Sequence, residues 1–147
     1  MTAVDVAQLP SFKSRQLLGG EPLATDDTSG TTRVRYTPSA DLNNPNGTVL
    51  GGYLAAMIDD AAGLATWFGG GQRAFSTAQM SVNFLRTAKP AESLIAEVIV
   101  VGAGARQAFV DVKLVRERDG KLVATGTLVQ TFLAQPPPGK VTSGKVT

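Results

Sequence analysis

The sequence predicts an α+β domain in which one long apolar helix lies on a single curved antiparallel sheet. Three observations carry this expectation. Residues 51–67 form a Gly- and Ala-rich apolar run, four later segments alternate apolar with polar residues, and Asp119-Gly120 is a hairpin signal between the last two.

The elements follow in order. SFKSRQLL, residues 11–18, reads as a short helix that starts at Ser11 and stops before Gly19-Gly20. No element is read in the polar stretch Glu21 to Gly30. Thr31 to Pro38 alternates Val34 and Tyr36 against Arg33 and Arg35, as a strand with one wet face does. Asp41 to Gly47 is dense in Asn, Asp, Pro and Gly and is expected to be a loop. The long helix runs from about Gly51 to Trp67, and Gly69-Gly70-Gly71 ends it. Ala74 to Arg86, Ser93 to Val101, Arg106 to Glu117 and Leu122 to Ala134 are rich in Val, Ile, Phe, Thr and Leu. They read as four strands that neighbour one another as antiparallel pairs. The organisation expected is an N-terminal segment over 1–30, one domain over 31–134, and a Pro-rich disordered tail over 135–147.

Composition excludes several function classes. A chain of 147 residues, 43% hydrophobic and 18% charged, fits one globular domain. Lys plus Arg number 14 against 12 Asp plus Glu, so there is no basic field of the kind that binds nucleic acid. No cysteine is present, which removes disulfides, thiolate nucleophiles and Cys-based metal sites, and no metal centre is expected. No histidine is present either, which leaves general-base work to carboxylates, Lys or Tyr. The N-terminus lacks the basic start and apolar core of a secretory signal, so a cytoplasmic location is expected. Thr48 to Phe68 has the length of a membrane span, but Asp59 and Asp60 near its middle argue for a buried helix and no membrane partner. Val98 to Gly104 imitates the opening of a dinucleotide fold without its third glycine or following helix, and is rejected as one.

The two aspartates need separate explanations, because adjacent helical residues project ~100° apart. Asp60 is expected at the solvated edge or an interface. Asp59 falls on the stripe of Gly52, Ala55, Ala56 and Gly63, read as the side that neighbours approach closely. A carboxylate there needs partners or work, and pattern alone leaves the structural and functional alternatives open.

Asn44, Gly47, Leu50, Gly51 and Gly52, followed by Asp59 seven residues later, resemble the signature of the PaaI-like hotdog-fold acyl-CoA thioesterases, relatives of 4-hydroxybenzoyl-CoA thioesterase. The usual form is N-x-x-G-x-x-H-G-G and then Asp or Glu at that distance. Ser76 to Arg86 looks like that family's strand after the helix, and Asp119 to Ala124 like its late hairpin. The resemblance spans roughly residues 31–134 and implies a hotdog fold, a curved antiparallel sheet wrapped around one central helix. It implies hydrolysis of an acyl-CoA thioester, aromatic or medium-chain, with coenzyme A as part of the substrate and no further cofactor.

A thioester needs an activated water or nucleophile on one side of its carbonyl and N–H donors for the oxyanion on the other. The Gly51 N–H at the helix start is a ready oxyanion donor. Asp59 is then the base or nucleophile. The resemblance further implies that Asn44 helps place the water or carbonyl and that Thr77 is the hydroxyl beside the carboxylate. It also implies a homodimer with shared sites, Asn44 and Gly51 of one subunit facing Asp59 and Thr77 of the other, and a dimer of dimers. Leu50, Gly52, Arg86, Lys89 and Arg106 are candidate substrate contacts, the three cations toward coenzyme A phosphates or else solvated strand ends. Leu50 departs from the pattern, standing where the family has histidine. Two rivals therefore accompany hydrolysis: an acyl-CoA-binding protein that lost its chemistry with the histidine, and, further off, a hydratase of the same fold.

Overall fold

The computed structural model describes residues 9, 12–26 and 30–134. The expected helix start at Ser11 and the expected tail 135–147 lie outside these residues. The described elements are α1 (Lys13–Leu17), β1 (Gly20–Asp26), β2 (Thr31–Tyr36), α2 (Gly51–Gly69), β3 (Phe75–Phe84), β4 (Leu94–Ala103), β5 (Gln107–Arg116) and β6 (Leu122–Phe132). A short 3-10 turn, Ala40–Leu42, interrupts the loop before α2, with the Asp41 N–H donating to the Ser39 hydroxyl.

The six strands form one antiparallel sheet in the order β1-β2-β4-β5-β6-β3. This corrects the sequence reading twice. The polar stretch after Glu21 contains a strand, β1, paired with β2 from Gly20↔Tyr36 to Asp26↔Thr31. An edge strand has one sheet neighbour and no need of two-faced alternation, and it tolerates Pro22, which donates no N–H. The second correction concerns β3. It does not neighbour β4 but pairs with β6 at the far edge of the sheet, from Phe75↔Phe132 to Phe84↔Ala124. The connection 85–93 is too long for a tight hairpin and carries the chain across to a place beside β2.

The hairpin between β5 and β6 is where Asp119-Gly120 placed it. Gly120 has φ +69°, and its N–H donates to the Arg116 carbonyl at 2.7 Å.

Helix α2 packs on the sheet with Leu54, Met57, Ile58, Ala61, Ala62, Leu64 and Ala65 buried. They meet Val34, Tyr36, Val98, Val110, Val112, Leu114 and Leu128 in one core. Each fully buried Leu, Ile or Met contributes roughly 1.5–3 kcal/mol of transfer free energy. The approach at β6 is tight, since a Cβ added to Gly126 would lie 2.6 Å from Ile58 Cγ2. The helix runs two residues past Trp67, to Gly69. Gly70 caps it, its N–H donating to the Thr66 carbonyl at 2.8 Å, in a space that Phe132 and the Thr66 carbonyl close to any side chain. No helix among the described residues is long and apolar enough to cross a membrane.

Candidate active site

The start of α2 is built by the loop before it. Asn44 Oδ1 accepts from the N–H groups of Asn46 and Thr48 at 2.9 and 3.2 Å, and its Nδ2 donates to the Thr48 hydroxyl at 2.9 Å. Much of its hydrogen-bonding capacity thus shapes the loop itself. Leu50 precedes the first helical residue, anchored by its N–H to the Leu42 carbonyl at 2.9 Å, and its side chain is 45% exposed. The N–H groups of Gly51 and Gly52 open the helix and have no acceptor among the described residues. They are free donors at the positive end of the helix dipole.

Two turns along, Asp59 meets β3. The Thr77 hydroxyl donates to Asp59 Oδ1 at 2.7 Å. Behind Thr77, Gln130 of β6 donates from Nε2 to the Thr77 oxygen at 3.3 Å, and the Thr66 hydroxyl of α2 donates to Gln130 Oε1. Gln130 and Thr66 are both buried. The sequence reading missed this pair. The available signal was a lone polar residue on the inward face of β6, in step with Ala124, Gly126 and Leu128.

The stripe that carries Asp59 differs from expectation. Ala55, Ala56 and Asp59 are half-buried, Gly52 is exposed, and a side chain at Gly52 would meet nothing within 4 Å. Only Gly63 is closely approached, by the Phe75 ring at 3.2 Å from an added Cβ. One chain leaves this face of the helix open, because its own sheet covers the opposite side.

Asp60 is corrected as well. Its Oδ2 accepts from the Tyr36 hydroxyl at 2.7 Å and from Arg15 Nε at 3.0 Å. It ties α1, α2 and β2 together rather than facing solvent. Burial, with the Asp60 charge and hydrogen bond added to it, pushes the Tyr36 phenol far above its ordinary value. Beyond this pair lies an apolar cavity of about 320 Å³ lined by Leu9, Phe12, Gly63, Leu64, Trp67 and Phe75, with Arg15 and Asp60 in its wall. Gly63 is one turn after Asp59, and Phe75 is two residues before Thr77 on the same strand face. Asp59 and Thr77 do not line the cavity but neighbour it along the chain, through Gly63 and Phe75.

The three cations do not converge in one chain. Arg86 and Lys89 follow the Phe84 end of β3, where Arg86 Nη1 donates to the Leu122 carbonyl at 2.7 Å. Arg106 lies at the other end, its carbonyl accepting from the Phe132 N–H at 2.9 Å. With ten residues in β3, the two ends are ~30 Å apart. Gly51 and Asp59 are separated too, by ~12 Å along the axis of α2. That is too far to hold one thioester carbonyl.

The model of the thioesterase superfamily matches residues 46–123, more than half of the chain and all of α2 and β3. The chain belongs to the thioesterase superfamily. Solved structures agree. A phenylacetic acid degradation-related protein of Ralstonia eutropha JMP134 is 30% identical, with a TM-score of 0.77 over 84% of this chain and 92% of that one. A variant of the phenylacetic acid degradation protein PaaI from Thermus thermophilus is 27% identical, with a TM-score of 0.71 over 81% and 97%. The E. coli PaaI protein, at 23% identity, a TM-score of 0.72 and coverage of 82% and 83%, shares the fold. No match is found among curated proteins. This member of the superfamily is thus a PaaI-like hotdog thioesterase, its class of reaction thioester hydrolysis.

Proposed function

We propose that this thioesterase hydrolyses acyl-CoA thioesters with an aromatic or medium-chain acyl group, Asp59 acting as general base. The observation that carries the reading is the Thr77–Asp59 hydrogen bond beside the apolar cavity. Thr77 occupies Oδ1 and leaves Oδ2 without a partner among the described residues. That oxygen takes a proton from water as the hydroxide adds to the thioester carbonyl. The oxyanion rests on a Gly51 N–H, and collapse breaks the C–S bond, with the released thiolate recovering a proton. The cavity walled by Trp67, Phe75 and Phe12 suits a ring or a short aliphatic chain.

The separation of Gly51 and Asp59 in one chain supports a site shared across a homodimer. Strand β3 supports this reading. It is an edge strand, paired only with β6, and it exposes Met80 and Phe84 beside the open face of α2. It runs opposite to α2, with Phe84 over Gly51 and Phe75 over Gly63. A two-fold pairing of β3 with its copy, centred near Met80, sets the Gly51 end of one subunit against the Asp59–Thr77 end of the other. The same operation returns Arg86 and Lys89 of one subunit to the end of the sheet where the other keeps Arg106, a basic rim for coenzyme A phosphates. Asn44 then places the carbonyl from the Gly51 side, and Gly52 leaves room for the thioester. The apolar sheet face of Ile99, Val101 and Phe109 would bury in a dimer of dimers.

The test is thiol release from a panel of aromatic and aliphatic acyl-CoAs by the wild type and by Asp59→Asn. Release by the wild type and its loss in the variant support the reading. Acyl-CoA binding without thiol release by the wild type would favour instead the binding protein that Leu50, in place of histidine, brings to mind.

A further inference from the structure

The buried pair Thr66 and Gln130 touches no substrate on any reading, yet it ends on the reacting carboxylate. Thr77 has one hydroxyl proton and two lone pairs, and the direction of its hydrogen bonds is set from behind. Gln130 Nε2 donates into the Thr77 oxygen at 3.3 Å, so the Thr77 proton points forward, to Asp59 Oδ1 at 2.7 Å. Gln130 Oε1 accepts from the Thr66 hydroxyl, which leaves Nε2 as the end facing Thr77. A flipped amide would present an acceptor to Thr77 and compete for the proton that Asp59 receives. Both residues are buried, Gln130 with 0% of its surface exposed, and the residues in step with them, Ala62 on α2 and Leu128 on β6, are buried and apolar. Apolar residues of similar size would fill the same space without the cost of desolvating an amide. The donors run in one direction across three elements, from α2 through β6 to β3 and back to α2.

We propose that Gln130 is a positioning residue for the hydrolysis, with Thr66 as its anchor. Together they lock the Thr77 hydroxyl as a donor to Asp59 Oδ1 and hold Oδ2 toward the water. The proposal rests on Asp59 as the base. It assigns Gln130 an effect on turnover that is carried entirely by Thr77.

The experiment is a double-mutant cycle in kcat and KM on the intact protein, with Gln130→Met, Thr77→Ala and the combination, and Asp59→Asn as reference. Gln130→Met is expected to lower kcat roughly tenfold with KM held within about twofold, the loss of one oriented hydrogen bond. In the Thr77→Ala background the same change is expected to leave kcat unaltered, since the route to Asp59 is already cut. A merely structural glutamine would lower kcat equally in both backgrounds, and that outcome overturns the proposal. Thr66→Val, nearly isosteric and leaving Gln130 in place, covers the case in which Gln130→Met does not fold. It is expected to lower kcat in the same direction and again only when Thr77 is present, and wild-type kcat in Thr66→Val overturns the proposal. Full activity in Asp59→Asn would remove the general-base reading itself. Loss of activity in Asp59→Asn beside wild-type kcat in Gln130→Met removes only the positioning role.

Discussion

Thr77 and Asp59 come from a strand and a helix 18 positions apart in the sequence, and the Thr77 hydroxyl donates to Asp59 Oδ1 at 2.7 Å. The contact orients one oxygen of a carboxylate that stands on the open face of α2. If it positions the base, Thr77→Ala lowers kcat roughly 10- to 100-fold, the value of one hydrogen bond to a charged group, while KM stays near wild type. Steady-state kinetics check this, and an unchanged kcat would take Thr77 out of the site.

A shared site makes a prediction about mixtures. Gly51→Pro removes the proposed oxyanion donor at the first helical position, where proline suits the backbone and a side chain meets Phe84 at ordinary contact distance. Gly51→Pro and Asp59→Asn are each expected to be inactive alone. Unfolded and refolded together, half the dimers are mixed and each holds one intact site, which restores about a quarter of wild-type activity. No recovery in a sample shown by mass to contain mixed dimers would place the whole site within one chain.

Asp60 holds two donors at once, and removing its charge strands Arg15. Asp60→Asn is expected to lower stability by roughly 2–4 kcal/mol, below the full value for a buried pair because Asp60 keeps some solvent contact. Urea unfolding measures it. A paired change, Asp60→Asn with Arg15→Met, is expected to recover part of the loss, since no lone charge remains buried.

Glu92 gives stability a sign with pH. Burial works to raise its carboxyl, but the Lys89 N–H, Arg118 and Arg116 outweigh it and hold the group below the usual range. A lowered folded value means that the contribution is present above the unfolded carboxylate range and is lost as pH falls through the folded value. Glu92→Gln is therefore expected to be less stable than wild type at neutral pH by at most about 1 kcal/mol, with the gap closing in acid. Thermal unfolding of both proteins from pH 7 downward tests this, and a gap that widens in acid would contradict it.

The contact between α2 and β6 leaves no room at Gly126. Its added Cβ meets the Cγ2 of Ile58, a buried, β-branched residue with little rotamer freedom on a helix. Gly126→Ala is expected to destabilise the fold by about 1–3 kcal/mol through overpacking. Combining it with Ile58→Ala relieves that clash, so in urea unfolding the double variant should cost less than the two changes added.

Several features were legible in the residues because their causes are local. The Gly- and Ala-rich run announced α2, the period-2 segments announced β3 to β6, and Asp119-Gly120 announced the hairpin. The spacing from Asn44 through Gly51 to Asp59 pointed to the family that the superfamily match shows. Strand β1 was not legible, because an edge strand with Pro22 carries no alternation and is defined by backbone pairing to β2. Nor was the place of β3, since pairing with β6 and not β4 depends on where the connection 85–93 lands.

The sequence by itself determined the element types, the hairpin, the absence of thiol and imidazole chemistry, and the helix-borne carboxylate as the candidate base. Each follows from side-chain chemistry or from a period read over a few neighbouring residues. Only the tertiary structure decided what each carboxylate faces. Asp59 meets Thr77 with Gln130 and Thr66 behind it, while Asp60 meets Arg15 and Tyr36. These partners lie up to 64 positions apart along the chain, as Thr66 and Gln130 do. Hydrogen bonds of that reach are set by how α2 sits on the sheet, which no local pattern encodes.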